Sequence, residues 1–248
     1  MRLVLDLRYE YPFTCYTMLA VRMLAARHAG RTLSAAVTLG AIGAIEGANA
    51  ILTKQLVAVS EEQLVACIKD ACGGGSLVKG YQYAMNNTLC TYDAYPYTPP
   101  SGKPYPPPPP LVCNVSNCTG SAAAIKKGRV AGYVQVTPKS EDALMDAVAL
   151  GPVGVEVDSS SLLNYAKGVL SGWCMEYTTD HVMLVVGYGT DAALGVDYWK
   201  VKNSWGVSFG EEGYVRVKRN DSACKAYGTG AIGILANPVY PTMTAAEN

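Results

Sequence analysis

YWKVKNSWGVSFGEEGYVRVKR, residues 198–219, holds two strand-like runs separated by a glycine-bearing turn. In both runs β-branched and aromatic residues are interleaved with charged ones, as on a sheet with one buried face. Asn203, Ser204, Trp205 and Gly206 sit between them. Upstream, HVMLVVGYG (181–189), GPVGVEVD (151–158) and GRVAGYVQV (128–136) are further β-branched runs broken by glycine. SEDALMDAVAL (140–150) is the exception, an amphipathic helix opening at Ser140. Before residue 95 the pattern is helical. Leu39, Ile42, Ile45 and Ala48 recur three or four apart, which predicts one apolar helix face. Ser60 and Gln63 form a capping-box-like start to a second helix. Leu77, Tyr81 and Ala84 share the face of a third. A helical half followed by a strand-rich half predicts an α+β protein of two subdomains, with a site in the cleft between them.

The bulk composition fits one substantial core. Of 248 residues, 50% are apolar and 16% charged, so the chain is globular rather than disordered. Lys plus Arg and Asp plus Glu balance at 20 each, giving no basic excess to attract nucleic acid. No apolar run reaches the roughly 18 residues of a membrane span. The eight cysteines include Cys72, Cys113 and Cys174 at loop-like positions, which suggests disulfides and an oxidising compartment. Asn86, Asn114, Asn117 and Asn220 each begin an Asn-x-Ser/Thr triplet, the acceptor pattern for N-glycosylation.

Two breaks interrupt the chain. Five of the eight arginines lie in the first 31 residues, whereas the first lysine is Lys54. This early segment fits neither a transit peptide nor a secretory leader: it has no serine before Ser34, carries Asp6 and Glu10, and lacks a clean apolar run. The second break is the proline-rich loop 96–112. Its run Pro106 to Pro110 predicts a stiff polyproline II connector between the two halves.

DHVMLVVGYG (180–189) and YWKVKNSWGVSFGEEGYVRVKR closely resemble the histidine and asparagine segments of papain-like cysteine peptidases. AIGAIEG, SEEQLVAC, CGGG, YPY and GPVGVEVD match further landmarks of that family in order, so the resemblance covers roughly Ala36 to Pro241. It leans towards the cathepsin L-like members. It implies a papain-like two-subdomain fold with a helical half at 36–120, a β-barrel-like half at 121–241 and a tail at 242–248. Chemistry of the family needs a cysteine thiolate to attack a peptide carbonyl, an imidazole to protonate the leaving amine and a side-chain amide to orient that imidazole. His181, one of two histidines, fits the imidazole; alone it would read as a core histidine. Asn203 fits the orienting amide and Trp205 the shield against water. No metal or cofactor is expected.

The resemblance fails at one place. Counting back from Glu46 and Gly47, the family's nucleophilic cysteine falls on Ala36, its tryptophan on Val37, its preceding cysteine on Leu33 and its oxyanion glutamine on Gly30. Loss of an oxyanion donor alone costs about 10²–10³ in rate, and loss of a nucleophile on the order of 10⁶. Cys15 begins CYTMLAV, an echo of the missing segment, but lies 21 residues upstream, about 30 Å if helical. A genuine pseudopeptidase and a deliberate alanine replacement are two readings of Ala36. The simultaneous loss of every upstream landmark favours a third: residues 1–35 are an anomalous segment, out of frame or from a wrong exon. All three give a chain that is inactive as written. Its alternative role is a non-catalytic peptide-binding or decoy module.

The resemblance further implies disulfides Cys67–Cys113 and Cys174–Cys224, and leaves Cys72 without its usual partner at Leu33. Cys90 and Cys118 flank the proline loop and are candidates to bridge each other. Gly73, Gly74 and Gly75 would line the substrate cleft, where backbone can pair with an extended peptide. Thr229 would floor the pocket for the second residue before the cut, and a neutral floor suggests apolar side chains over arginine. The expected partners are peptide or protein substrates and protein inhibitors, for a monomer in a lysosome-like or secreted setting.

Overall fold

The computed structural model describes residues 2–3, 34–68, 76–96, 112–172, 174 and 179–244; for 2–3 and 34–39 it describes the backbone alone. Most of the proline-rich loop, Cys15, Cys72 and the triplet Gly73, Gly74 and Gly75 therefore lie outside the described residues, as does the side chain of Ala36.

The described elements run from helices to strands, the α+β order read from the sequence. Helices α1 (Ser34–Thr53), α2 (Glu61–Cys67) and α3 (Leu77–Asn86) precede α4 (Glu141–Leu150). The strands are β1 (Arg2–Leu3), β2 (Leu89–Cys90), β3 (Ala123–Ile125), β4 (Val130–Gln135), β5 (Val153–Val157), β6 (Val169–Leu170), β7 (His181–Asp191), β8 (Val196–Lys202), β9 (Tyr214–Lys218) and β10 (Val239–Met243). A mixed sheet runs in the order β4-β10-β5-β7-β8-β9-β6, and β1 pairs with β7. β2 and β3 form a separate two-stranded ribbon.

β7 is the axis of the molecule. Its first seven residues are all buried because both faces of the sheet are covered there. Side chains alternate across a strand, so Val182, Leu184 and Val186 enter one apolar cluster with α1 and α3. Met183 and Val185 enter a second cluster with α4, Trp199 and Val215.

α1 departs from the single apolar face expected of it. Residues 40–47 are buried on all sides, with Ile42 and Ile45 fully so. Small residues make this possible. A Cβ added to Gly40 would collide with Val182, one on Gly43 would reach Leu184 Cδ2 at 3.0 Å, and one on Gly47 would reach Pro152 Cγ at 2.5 Å. The helix thus lies directly against β7 and the start of β5.

The predicted helix starts at Ser60 and Ser140 are observed, Ser76 adds a cap not read from the sequence, and the role of Gln63 needs a correction. Ser60, Ser76 and Ser140 cap α2, α3 and α4, each accepting a hydrogen bond from the backbone amide three residues on. Gln63 does not close a reciprocal capping box. The Cys90 amide donates to its Oε1 at 2.7 Å, and its Nε2 donates to the Thr88 carbonyl at 2.8 Å. It therefore ties α2 to β2. In α3, Leu77, Gly80, Tyr81 and Ala84 are buried along one face.

β10 is not revealed by the sequence pattern, because Pro241 interrupts it. Proline donates nothing to a ladder. β10 pairs with β4 along its length but with β5 only at Val239. Pro241 therefore has a strand neighbour on one side only. Among the described residues the disulfides are Cys67–Cys113, Cys90–Cys118 and Cys174–Cys224.

Candidate active site

His181 opens β7, where Val157 of β5 is its register partner. Asn203 follows the last residue of β8, and its amide donates to the Gly213 carbonyl at 2.9 Å. Adjacent strands β7 and β8 thus present the two side chains from neighbouring ends. His181 Nε2 and Asn203 Oδ1 lie 2.8 Å apart, and both residues are buried. The carboxamide oxygen can only accept, so the imidazole carries its proton on Nε2 and leaves Nδ1 as the basic atom. The Ser204 amide donates to the same oxygen at 2.8 Å and fixes the amide's orientation.

The Trp205 ring packs on His181 with centroids 5.4 Å apart, tilted by 40°. Phe209 meets Trp205 edge-on at 5.1 Å. Both rings thus lie beside the buried His181–Asn203 pair. Phe209 was not read from the sequence as part of the site; its signal was the Trp205–Phe209 spacing across a glycine turn.

Burial pushes the His181 imidazole below its ordinary range, and the Asn203 hydrogen bond and the Asp180 carboxylate partly offset that. Asp180 is held in place by Ser159, whose amide donates to Oδ1 at 2.8 Å and whose hydroxyl donates to Oδ2 at 3.1 Å.

A second group of charges lies behind the site. Glu46 of α1, Glu61 and Glu62 of α2 are all buried. Lys202, next to Asn203, interacts electrostatically with Glu46 and Glu61 and is pushed below its ordinary pKa by burial. Burial pushes the Glu61 carboxyl up to about 8. The Val59 amide donates to Glu46 Oε1 at 2.8 Å. Sequence reading missed this cluster. Glu61 and Glu62 look like ordinary acidic residues in a helix's first turn, and Lys202 like a solvent-facing strand residue.

Thr229 is buried, and its carbonyl accepts from the Leu235 amide at 2.8 Å. Gly73, Gly74 and Gly75 lie outside the described residues. Among the described residues no group of three or more His, Cys, Asp and Glu side chains could hold a metal ion. No helix among them is long and apolar enough to cross a membrane.

The fold is that of papain-like proteases. It matches the structure of the bromelain protease from Ananas comosus with a TM-score of 0.72 and 29% identity, over 90% of this chain and 97% of that one. A cysteine protease of Carica candamarcensis matches with a TM-score of 0.70 and 30% identity, over 90% of this chain and 96% of that one. At the level of sequence, the family model described as papain family cysteine protease matches residues 33–240. The chain belongs to the papain family of cysteine proteases. Cysteine protease 1 of Oryza sativa is 38% identical over 208 residues, covering 81% of this chain and 39% of that protein. The germination-specific cysteine protease 1 of Arabidopsis thaliana is 37% identical over 207 residues, covering 80% of this chain and 49% of that protein. The chain thus spans half or less of the length of these two curated relatives.

Proposed function

We propose that this chain is a papain-family peptidase scaffold that keeps its imidazole and orienting amide but cannot cleave peptides, because Ala36 occupies the nucleophile's place. The observation that carries this is the register of α1 on β7. Gly40 abuts Val182 and Gly43 abuts Leu184, so helix and strand advance in the same direction. The four residues from Gly40 back to Ala36 span about 6 Å of helix. Along a strand that is roughly two residues, which brings the backbone of Ala36 to the level of Asp180 and His181.

In an active family member a thiolate at this place attacks the substrate carbonyl, and the imidazole then protonates the leaving amine. Asn203 would hold the ring so that Nδ1 faces the reacting atoms. Trp205 and Phe209 would keep water from that pair. A methyl group at Ala36 supplies no electron pair, so no acyl intermediate forms.

The cleft is a peptide-binding surface in this reading. Thr229 floors a pocket that prefers apolar side chains over arginine, and the segment at Gly73, Gly74 and Gly75 pairs with extended peptide backbone. The three disulfides suit an oxidising compartment, in keeping with a lysosomal, vacuolar or secreted setting.

The test is a fluorogenic peptide assay on the unmodified chain with a thiol-directed inhibitor as control. The expected result is no inhibitor-sensitive turnover; such turnover would place a working thiol at the site and contradict the assignment of Ala36. Fluorescence-detected binding of leucine- and arginine-containing peptide aldehydes to the Ala36→Cys protein tests the pocket. Tighter binding of the leucine compound is expected, and a preference for arginine would overturn the role given to Thr229.

A further inference from the structure

We infer that Asn114 is an N-glycosylation site. Four triplets carry the acceptor pattern, and the structure separates them. In the triplet Asn114-Val115-Ser116 all three residues are exposed. The Ser116 hydroxyl donates to Asn114 Oδ1 at 2.8 Å, and the Ser116 amide donates to the same oxygen at 3.2 Å. The two donors hold the triplet in an Asx-type turn, and by polarising the carboxamide they make its Nδ2–H more acidic, which favours loss of the proton as Nδ2 bonds to the sugar.

The other three triplets lack it. Asn86 spends its Nδ2 on the Gln82 carbonyl of its own helix at 3.0 Å, and Thr88 Oγ1 accepts from the Lys127 amide. In the Asn117 triplet the middle residue, Cys118, is buried in the Cys90–Cys118 disulfide. Asn220 has a left-handed backbone, φ +50°, and its amide donates to Glu141 Oε1. The middle residue of that triplet, Asp221, is buried and accepts from Ser171 and Gly172.

The surroundings of Asn114 also hold it at the surface. Cys113 is tied to Cys67 on one side, and Cys118 to Cys90 on the other. The Tyr95 hydroxyl donates to the Val112 carbonyl at 3.0 Å. The donor is a lipid-diphosphate-linked oligosaccharide. Asn114 Nδ2 forms a bond to the anomeric carbon of the first sugar while the bond from that carbon to the diphosphate oxygen breaks. The lipid diphosphate leaves with the electron pair, and Nδ2 gives up one proton. The compartment that supplies this donor is also one in which disulfides form.

The test is translation of the full chain behind a cleavable secretion leader with microsomes, scoring only chains whose leader has been removed. Peptide mass mapping after glycosidase release should show Asn114 converted to Asp. The glycan-dependent gel shift should be lost in Asn114→Gln and in Ser116→Ala, and kept in Ser116→Thr. Equal thermal midpoints for these variants would show that the fold is intact. An unmodified Asn114 in translocated chains, or a shift that survives Asn114→Gln unchanged, would overturn the inference.

Discussion

Asn203 uses one oxygen for two donors, the His181 ring at 2.8 Å and the Ser204 amide at 2.8 Å. Replacing it by alanine removes the contact that raises the His181 pKa and leaves a buried ring N–H without an acceptor. Asn203→Ala should therefore lower the His181 pKa further and cost about 1–3 kcal/mol of stability; NMR titration of the ring and denaturant unfolding measure the two effects. The sign of the pH dependence follows. His181 is depressed in the folded state, so its contribution to stability is complete above its ordinary pKa of 6.5 and is lost as pH falls below it. His181 and Asn203 were legible in the sequence because each sits inside a contiguous, strongly patterned segment. Glu46, Glu61 and Lys202 were not. The partners that give them meaning come together only when α1, α2 and β8 pack, and a one-dimensional pattern shows the residues as ordinary surface charges.

Glycine spacing sets how α1 meets the sheet. At Gly47 an added Cβ would strike the rigid ring of Pro152, with Cγ at 2.5 Å and Cδ at 3.0 Å. At Gly43 it would meet only the end of the flexible Leu184 side chain, at 3.0 Å. Alanine is the better helix former by about 1 kcal/mol, but overpacking costs about 1–3 kcal/mol. Gly47→Ala should therefore destabilise the protein and Gly43→Ala should be close to neutral; thermal unfolding of the two variants distinguishes them. Helix starts at Ser60 and Ser140 were readable from the sequence because capping is local. The burial of α1 on all sides was not, since three-to-four spacing marks a helix without saying how many neighbours cover it. β10 was hidden for a different reason: Pro241 breaks a strand signal whose missing N–H costs little where only β4 runs alongside.

Across the whole molecule, buried ionisable groups couple the helices to the strand that leads into Asn203. The Glu61 carboxyl is pushed up to about 8 from 4.5, chiefly by burial. In that window the folded state keeps a proton that the unfolded chain has released, so stability falls as pH rises from about 4.5 to about 8. Glu61→Gln should flatten this decline and stabilise the protein at the upper end of the window, as urea unfolding at a series of pH values would show. The covalent frame is predicted to matter independently of pH. Cys174 and Cys224 are 50 residues apart, and opening that loop in a Cys174→Ala, Cys224→Ala protein should cost about 2–4 kcal/mol, measurable as a lowered urea midpoint. The α+β order and the family were legible from ordered local segments, whereas the proposed facing of position 36 and His181 rests on the register of α1 along β7. That register is tested most directly by mapping alkylation at position 36 of the Ala36→Cys protein against pH, with and without His181→Ala. A thiol paired with the imidazole should react well below the usual thiol pKa of about 8.5 and lose that reactivity in His181→Ala. An ordinary thiol profile indifferent to His181 would contradict the account.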